Sequence, residues 1–366
     1  MTIRDIIRVL ESMAPPALQE SYDNVGLLVG DEHADCSGVL VSLDVTEQVI
    51  EEAVEKGCNL IVSHHPILFQ GIKKLTGTHY VERVLLNAIK QDVALYAIHT
   101  NLDNLLTGVS GRMADRLGLI DRRVLAPREG VLFQLSVYVP ETHVSALELA
   151  LFAAGAGTLG SYSECGFVTD GMGGFKPGAD AHPHTGEVGQ RHVGPEKKLE
   201  VIFPAWRKHR VLRAMHEVHP YEEIAYALQR LDNTVSHFGS GVIGRLPAPV
   251  DEQVFLQTIK EVFGLQVIRH TPLLHKPVQT VAMCGGSGQF LTHRAMAAGA
   301  DVYITADIKY HEFFEADGRI LLADIGHYES EQYTMDLLLE HLRLNFPTFA
   351  LLKTSVDTNP VRNFLG

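Results

Sequence analysis

Residues 59–69 read NLIVSHHPILF. An apolar run from Leu60 to Val62 ends in Ser63, two histidines and Pro66. A short run that is apolar at every position is a strand buried on both faces, as in a parallel sheet. The histidines then fall at its carboxyl end, where open α/β sheets bind their ligands. Ordinary loop polarity would also account for two histidines, so the flanking chain has to decide.

Upstream, GVLVSLDV (37–44) is another β-branched run. TEQVIEEAVEKG (46–57) puts Val49, Ile50, Ala53 and Val54 on one helical face, between a Thr46 N-cap and a Gly57 stop. Downstream, YVERVLLNAIKQ (80–91) carries a helical stripe, VALYAIHT (93–100) is a strand and VSGRMADRLGL (109–119) a further helix. Helices alternating with fully apolar strands predict a parallel sheet covered on both faces. The last third repeats the texture, with strands at VQTVAMC (278–284), ADVYITAD (300–307) and RILLAD (319–324). Helices are expected from the GGSG loop to about Ala298, across YHEFFEA, and from about Ser330 to Leu344, with FALLKTS (349–355) closing the second sheet.

The middle differs. From Val131 the chain reads strand then helix, and residues 197–232 read strand, helix, strand. Between them, residues 155–189 are dense in glycine and poor in aliphatics. This predicts a small antiparallel α+β domain of the ferredoxin-like kind, with a long glycine-rich hairpin or flap. The expected organisation is an α/β core, residues 1–127 and 236–366, built of two mostly parallel α/β layers and interrupted by an inserted domain, 128–235.

Composition narrows the function. The 366 residues are 46% hydrophobic, as in globular proteins. A net charge of −13 without a basic run argues against binding nucleic acid through its backbone. Cys36, Cys58, Cys165 and Cys284 form no CxxC pair, so neither a disulfide framework nor a zinc knuckle is indicated. No stretch approaches the roughly 20 apolar residues of a membrane span. MTIRDIIRVLESMAPP reads as an amphipathic helix ended by Pro15 and Pro16 rather than as a signal peptide, so a cytoplasmic location is expected.

What lies just past each predicted strand then carries the chemistry. His64 and His65 follow the first quoted run; His99 and Asp103 lie in HTNLDN; His327 and Glu331 lie in DIGHYESE. His327 and Glu331, at i and i+4, share one face at a helix start. A carboxylate can bridge two cations, which a single imidazole nitrogen cannot. Pro66 favours a turn that would let the adjacent rings of His64 and His65 reach different ions. Two metals about 3.5–4 Å apart are the usual hydrolytic pair. Imidazole with carboxylate suits Zn, Fe, Mn, Co or Ni without choosing among them. His99 and Asp307 are expected to orient ligands, with His99 or Glu329 placed to move protons, and His311 to lie outside the site. GGSG lacks the Lys-Ser/Thr of a phosphate-binding loop and reads as a tight turn, with an anion nest as the alternative.

SHHPILFQGIKKL, IHTNLDN, ITADIKYHEFFEA and DIGHYESE, in this order, resemble the GTP cyclohydrolase 1 type 2 homolog family, also called NIF-three-like. The resemblance covers nearly the whole chain. YSECGF, GMGGFKP and HPYEE resemble the insert of longer members, which has a fold like the PII and CutA proteins. The resemblance implies a dinuclear centre on His64, His65, Asp103, His327 and Glu331, with Glu331 bridging, and a ring-shaped homohexamer. It also implies a metal-dependent hydrolase acting on a nucleotide or related small molecule. The competing expectation is a non-catalytic metal-binding assembly that senses an effector through the insert.

Overall fold

A computed structural model describes residues 1–364. The chain forms two compact units, Met1–Pro127 with the chain from Ser236 onward, and Arg128–Val235. Before the insert the strands are β1 (Gly26–Val29), β2 (Val39–Ser42), β3 (Leu60–Ser63), β4 (Ala94–Ala97) and β5 (Ile120–Pro127). Within it lie β6 (Leu132–Val139), β7 (Gly166–Phe175), β8 (His192–Pro204) and β9 (Tyr226–Leu231). After it come β10 (Gly239–Val250), β11 (Arg269–His270), β12 (Val278–Met283), β13 (Val302–Thr305), β14 (Leu321–Asp324) and β15 (Leu351–Lys353).

The first sheet runs β1-β4-β3-β2-β15. It is parallel except for β1. Strands β2, β3 and β4 are buried at every position because both faces are covered. Leu40, Ile61 and Leu95 pack under the helices Glu47–Glu55 and Tyr80–Lys90 through Val49, Ile50, Val84 and Leu85. Thr46 caps the first of these helices, its hydroxyl accepting the Val49 N–H at 3.3 Å, and Gly57 follows it at φ +69°.

The second sheet runs β11-β14-β13-β12-β10-β5 and departs from the expected parallel layer. Only β12, β13 and β14 are parallel neighbours; β11, β10 and β5 pair antiparallel. FALLKTS does not close this sheet. The free edge of β14 is already taken by β11, and the Leu322 N–H donates to Thr271 Oγ1 at 3.0 Å. β15 instead pairs with β2 in the first sheet, Leu351 opposite Val39, while β5 pairs in the second. The two layers are therefore laced together by β5, just before the insert, and by β15, near the C-terminus.

Three helical expectations also change. YHEFFEA is a 3-10 helix, Tyr310–Ala316. The segment after GGSG is a 3-10 turn followed by a short helix, Thr292–Ala297. The long C-terminal helix is broken into His327–Glu331 and Thr334–Asn345. The inserted unit has strand order β7-β8-β6-β9, all antiparallel, with the helices Val144–Ala153 and Lys208–Val218. This is the β-α-β-β-α-β ferredoxin-like arrangement. The glycine-rich stretch supplies β7 and the connection to β8, a long hairpin.

Candidate metal centre

Strand pairing continues past β3. The His64 N–H donates to the Ser42 carbonyl at 3.2 Å and the His65 N–H to Leu43 at 2.9 Å. The two rings then part toward neighbouring strands. His64 Nδ1 meets the Ile98 carbonyl, just past β4, at 2.9 Å. His65 Nδ1 meets Asp44 Oδ1, just past β2, at 2.8 Å. On the far side of the cleft, His327 Nδ1 meets Asp307 Oδ2 at 2.7 Å. A carbonyl or carboxylate can only accept, so each Nδ1 carries the hydrogen. In the neutral ring that leaves Nε2 as a bare lone pair, the form that binds metals.

These lone pairs converge on carboxylates. Glu331 Oε2 lies 2.9 Å from His65 Nε2 and 3.1 Å from His327 Nε2. Its Oε1 lies 3.8 Å from His64 Nε2, which is 3.6 Å from Asp103 Oδ1. His65 and His327 face each other, Nε2 to Nε2, at 3.3 Å. His64 Nε2, Asp103 Oδ1 and Glu331 Oε2 are all buried without a hydrogen-bond partner. Buried acceptors aimed at one another are costly unless a cation sits among them. The donor set is nitrogen and oxygen with both charged and neutral members, which suits a divalent transition metal.

Without such a cation, protons have to do its work. Burial lowers the basicity of His65, but the Asp44 and Glu331 carboxylates beside it outweigh burial and raise its pKa to about 9. Burial likewise opposes His327, which Asp307 and Glu331 carry up to about 11. Burial alone dominates at His64 and lowers it. At Asp103, burial and then the Glu331 charge hold the carboxyl well above its usual range. Burial pushes Glu331 up, and His327 and His64 more than reverse it.

His99, expected to orient other groups, stands in the cluster itself. Ligand atoms of His64, His65 and His99 lie within 4.8 Å of one another, as do those of His65, His327 and Glu331. His99 Nδ1 is held by Asp23 Oδ1 at 2.8 Å, and Asp23 also accepts the Thr100 N–H at 3.0 Å. The one-turn helix Thr100–Asp103 then carries Asp103 into the cleft. Asp307 holds His327, as described. Glu329 lines the same pocket, its Oε1 accepting the Asn359 side-chain N–H at 3.0 Å. His311 is exposed.

The glycines of GGSG have a steric reason. Gly286 sits at φ +59°, and a Cβ there would lie 2.3 Å from Glu331 Oε1. The loop is a tight turn that lets the backbone touch the buried carboxylate. Two residues were missed in the sequence. Asp44 lies just past the end of β2, the same position relative to its strand that singled out the histidines, so that rule would have found it. Asp23 lies 76 residues from His99 and carries no local signal.

The chain is thus an α/β scaffold with histidines and carboxylates gathered past the carboxyl ends of its strands, in groups that could hold a metal ion. The chain matches the family model Duf34/NIF3 (NGG1p interacting factor 3) over residues 1–360 and belongs to that family. It is 37% identical over 327 residues to the GTP cyclohydrolase 1 type 2 homolog of Bacillus subtilis, covering 89% of this chain and 88% of that protein. The protein of the same name from Halalkalibacterium halodurans is 39% identical over 325 residues, 88% of this chain and 87% of that one. Among solved structures, a Bacillus cereus protein related to NIF3 superposes with a TM-score of 0.84 at 33% identity, covering 100% of this chain and 99% of that one. Staphylococcus aureus protein SA1388 superposes with a TM-score of 0.78 at 29% identity, with the same coverage. No helix among the described residues is long and apolar enough to cross a membrane.

Proposed function

We propose that His64, His65, Asp103, His327 and Glu331 hold two divalent metal ions, with Glu331 between them. The observation that carries this is the set of buried, unpartnered acceptors, His64 Nε2, Asp103 Oδ1 and Glu331 Oε2, facing a common point. Asp44, Asp307 and the Ile98 carbonyl fix the tautomer and direction of three rings, as such partners do around bound metals. The activity we assign is metal-dependent hydrolysis of a nucleotide or related cyclic C–N substrate. A bound pair of divalent ions supplies Lewis acidity and lowers the pKa of water toward neutrality. The name borne by the relatives, GTP cyclohydrolase 1 type 2 homolog, agrees with this class of chemistry.

A second reading rests on the inserted unit, which is compact in its own right. We take it as PII- or CutA-like, its hairpin a site for an effector, on a cytoplasmic homohexamer whose metal centre has a regulatory role. Elemental analysis of the purified protein, followed by turnover assays on a nucleotide panel, separates the readings. Two metals per chain with turnover lost in His65→Ala supports hydrolysis. Two metals with no turnover in any metal form favours the regulatory reading, and no metal removes both.

A further inference from the structure

The centre opens into a pocket of about 1300 Å³. Its charge is lopsided. Seven carboxyl groups line it, against a single guanidinium, Arg269, among the described residues. Arg269 is already engaged, by Asp324 Oδ2 at 3.1 Å and the Ile308 carbonyl at 2.9 Å. Two divalent ions would offset four of those carboxylates and leave no surplus positive charge.

The glycines of the GGSG loop offer no substitute. Successive free N–H groups of a glycine loop can hold a phosphate without any cationic side chain. Here the Gly286 N–H donates to Ser330 Oγ and the Gly288 N–H to Thr305 Oγ1, both at 2.9 Å. The Gly285 N–H donates to Ser110 Oγ at 3.3 Å. The three glycine donors of the loop are thus turned inward.

What the pocket does offer is aromatic surface. Phe69, Phe290, Tyr22 and Tyr80 line it with more than half of each residue exposed. The Phe69 ring packs edge-on to His99 at 5.8 Å between centroids, beside the centre. The Asn363 amide adds a neutral hydrogen-bonding group at the wall, whereas those of Asn104 and Asn359 are already engaged within the chain.

We infer that this pocket takes a planar heteroaromatic molecule bearing at most one anionic group, stacked on Phe69, and that it disfavours a nucleoside triphosphate. The inference deepens the metal-centre reading above and rests on it. One anionic group is met by the metals; two more phosphates would face carboxylates.

The test is equilibrium dialysis of the metal-loaded full chain against guanosine and adenosine and their mono- and triphosphates, at fixed ionic strength. Metal retained in the protein chamber is measured in the same samples. Nucleoside and monophosphate are expected to bind similarly, and the triphosphate about tenfold or more weakly, because like charges juxtaposed in a binding site are strongly penalised. Phe69→Ala should weaken nucleoside binding about tenfold through lost stacking, with metal content unchanged. A triphosphate that binds more tightly than its monophosphate with the metal retained overturns the inference. So does nucleoside binding indifferent to Phe69→Ala, or no nucleoside binding at all. Failure of the wild type to take up metal overturns the functional reading instead, and the metal measurement tells these outcomes apart.

Discussion

The region around Glu52 and the region around Glu331 each bury a carboxylate, and they do so in opposite ways. Glu52, on the helix Glu47–Glu55, is met by donors: the Lys56 ammonium, the Thr354 and Ser355 hydroxyls and the Ser355 N–H. Burial disfavours its charge, but those donors outweigh burial and hold its pKa at about 2. Glu331 is met by imidazole nitrogens whose partner nitrogens already donate elsewhere. One carboxylate is complete within the chain. The other is complete only with something positive added. Burial alone does not mark a functional acid; the kind of atom that faces it does.

Replacing Glu331 gives the largest effect. Glu331→Gln keeps the size but removes the charge, and metal content should fall from two ions to one or none per chain by elemental analysis. Unchanged stoichiometry would break the contrast at its root. Next comes the outer layer. Asp44→Asn leaves all five proposed ligands in place, yet should weaken metal binding about 10- to 100-fold in competition with a chromophoric chelator. Retention of wild-type affinity would mean that the Asp44–His65 bond is incidental.

Glu52 sharpens the comparison through pH. Its folded pKa lies below the usual 4.5, so its stabilisation is present above pH 4.5 and is lost as pH falls toward 2. Glu52→Gln should cost about 1–3 kcal/mol in denaturant unfolding at pH 7, and the gap to wild type should close near pH 2. A gap that persists unchanged at low pH would show that packing, not charge, is what Glu52 contributes.

The smallest effect is expected in the insert, which is also rich in histidine. His182 is 91% exposed, and its Nδ1 lies 3.7 Å from Glu222. His184 makes ring contacts with His143 and Tyr221. Among the described residues no acceptor fixes either ring as Asp44 fixes His65. His182→Ala with His184→Ala should leave metal stoichiometry unaltered and shift stability by less than about 0.5 kcal/mol. Loss of metal in that variant would mean that exposed histidines bind as well as held ones.

Legibility in the sequence followed the range of the interactions. Thr46, Gly57 and the buried strands were readable because caps and apolar runs act within a few residues. The positions of His64, His65, Asp103, His327 and Glu331 were readable because strand ends are local features and sheet topology puts ligands there. The destination of residues 349–355 was not. Its apolar run fits either sheet, and only the pairing of β11 along β14 decides that it joins the first. Asp23 was invisible for the same reason, its partner being set by folding and not by spacing.

By itself, then, the sequence marked the buried parallel strands and several of the helices between them, the change of texture in the middle of the chain, and which imidazoles and carboxylates follow the strands. Tertiary structure alone decided that β5 and β15 exchange between the layers, that Asp44 and Asp23 each hold the Nδ1 of a ring, and that Gly286 must lack a side chain beside Glu331. The physical reason is the same throughout. Apolar periodicity and capping are written in neighbours along the chain, whereas the direction of a lone pair depends on which acceptor, from anywhere in the chain, has already claimed the other side of the ring.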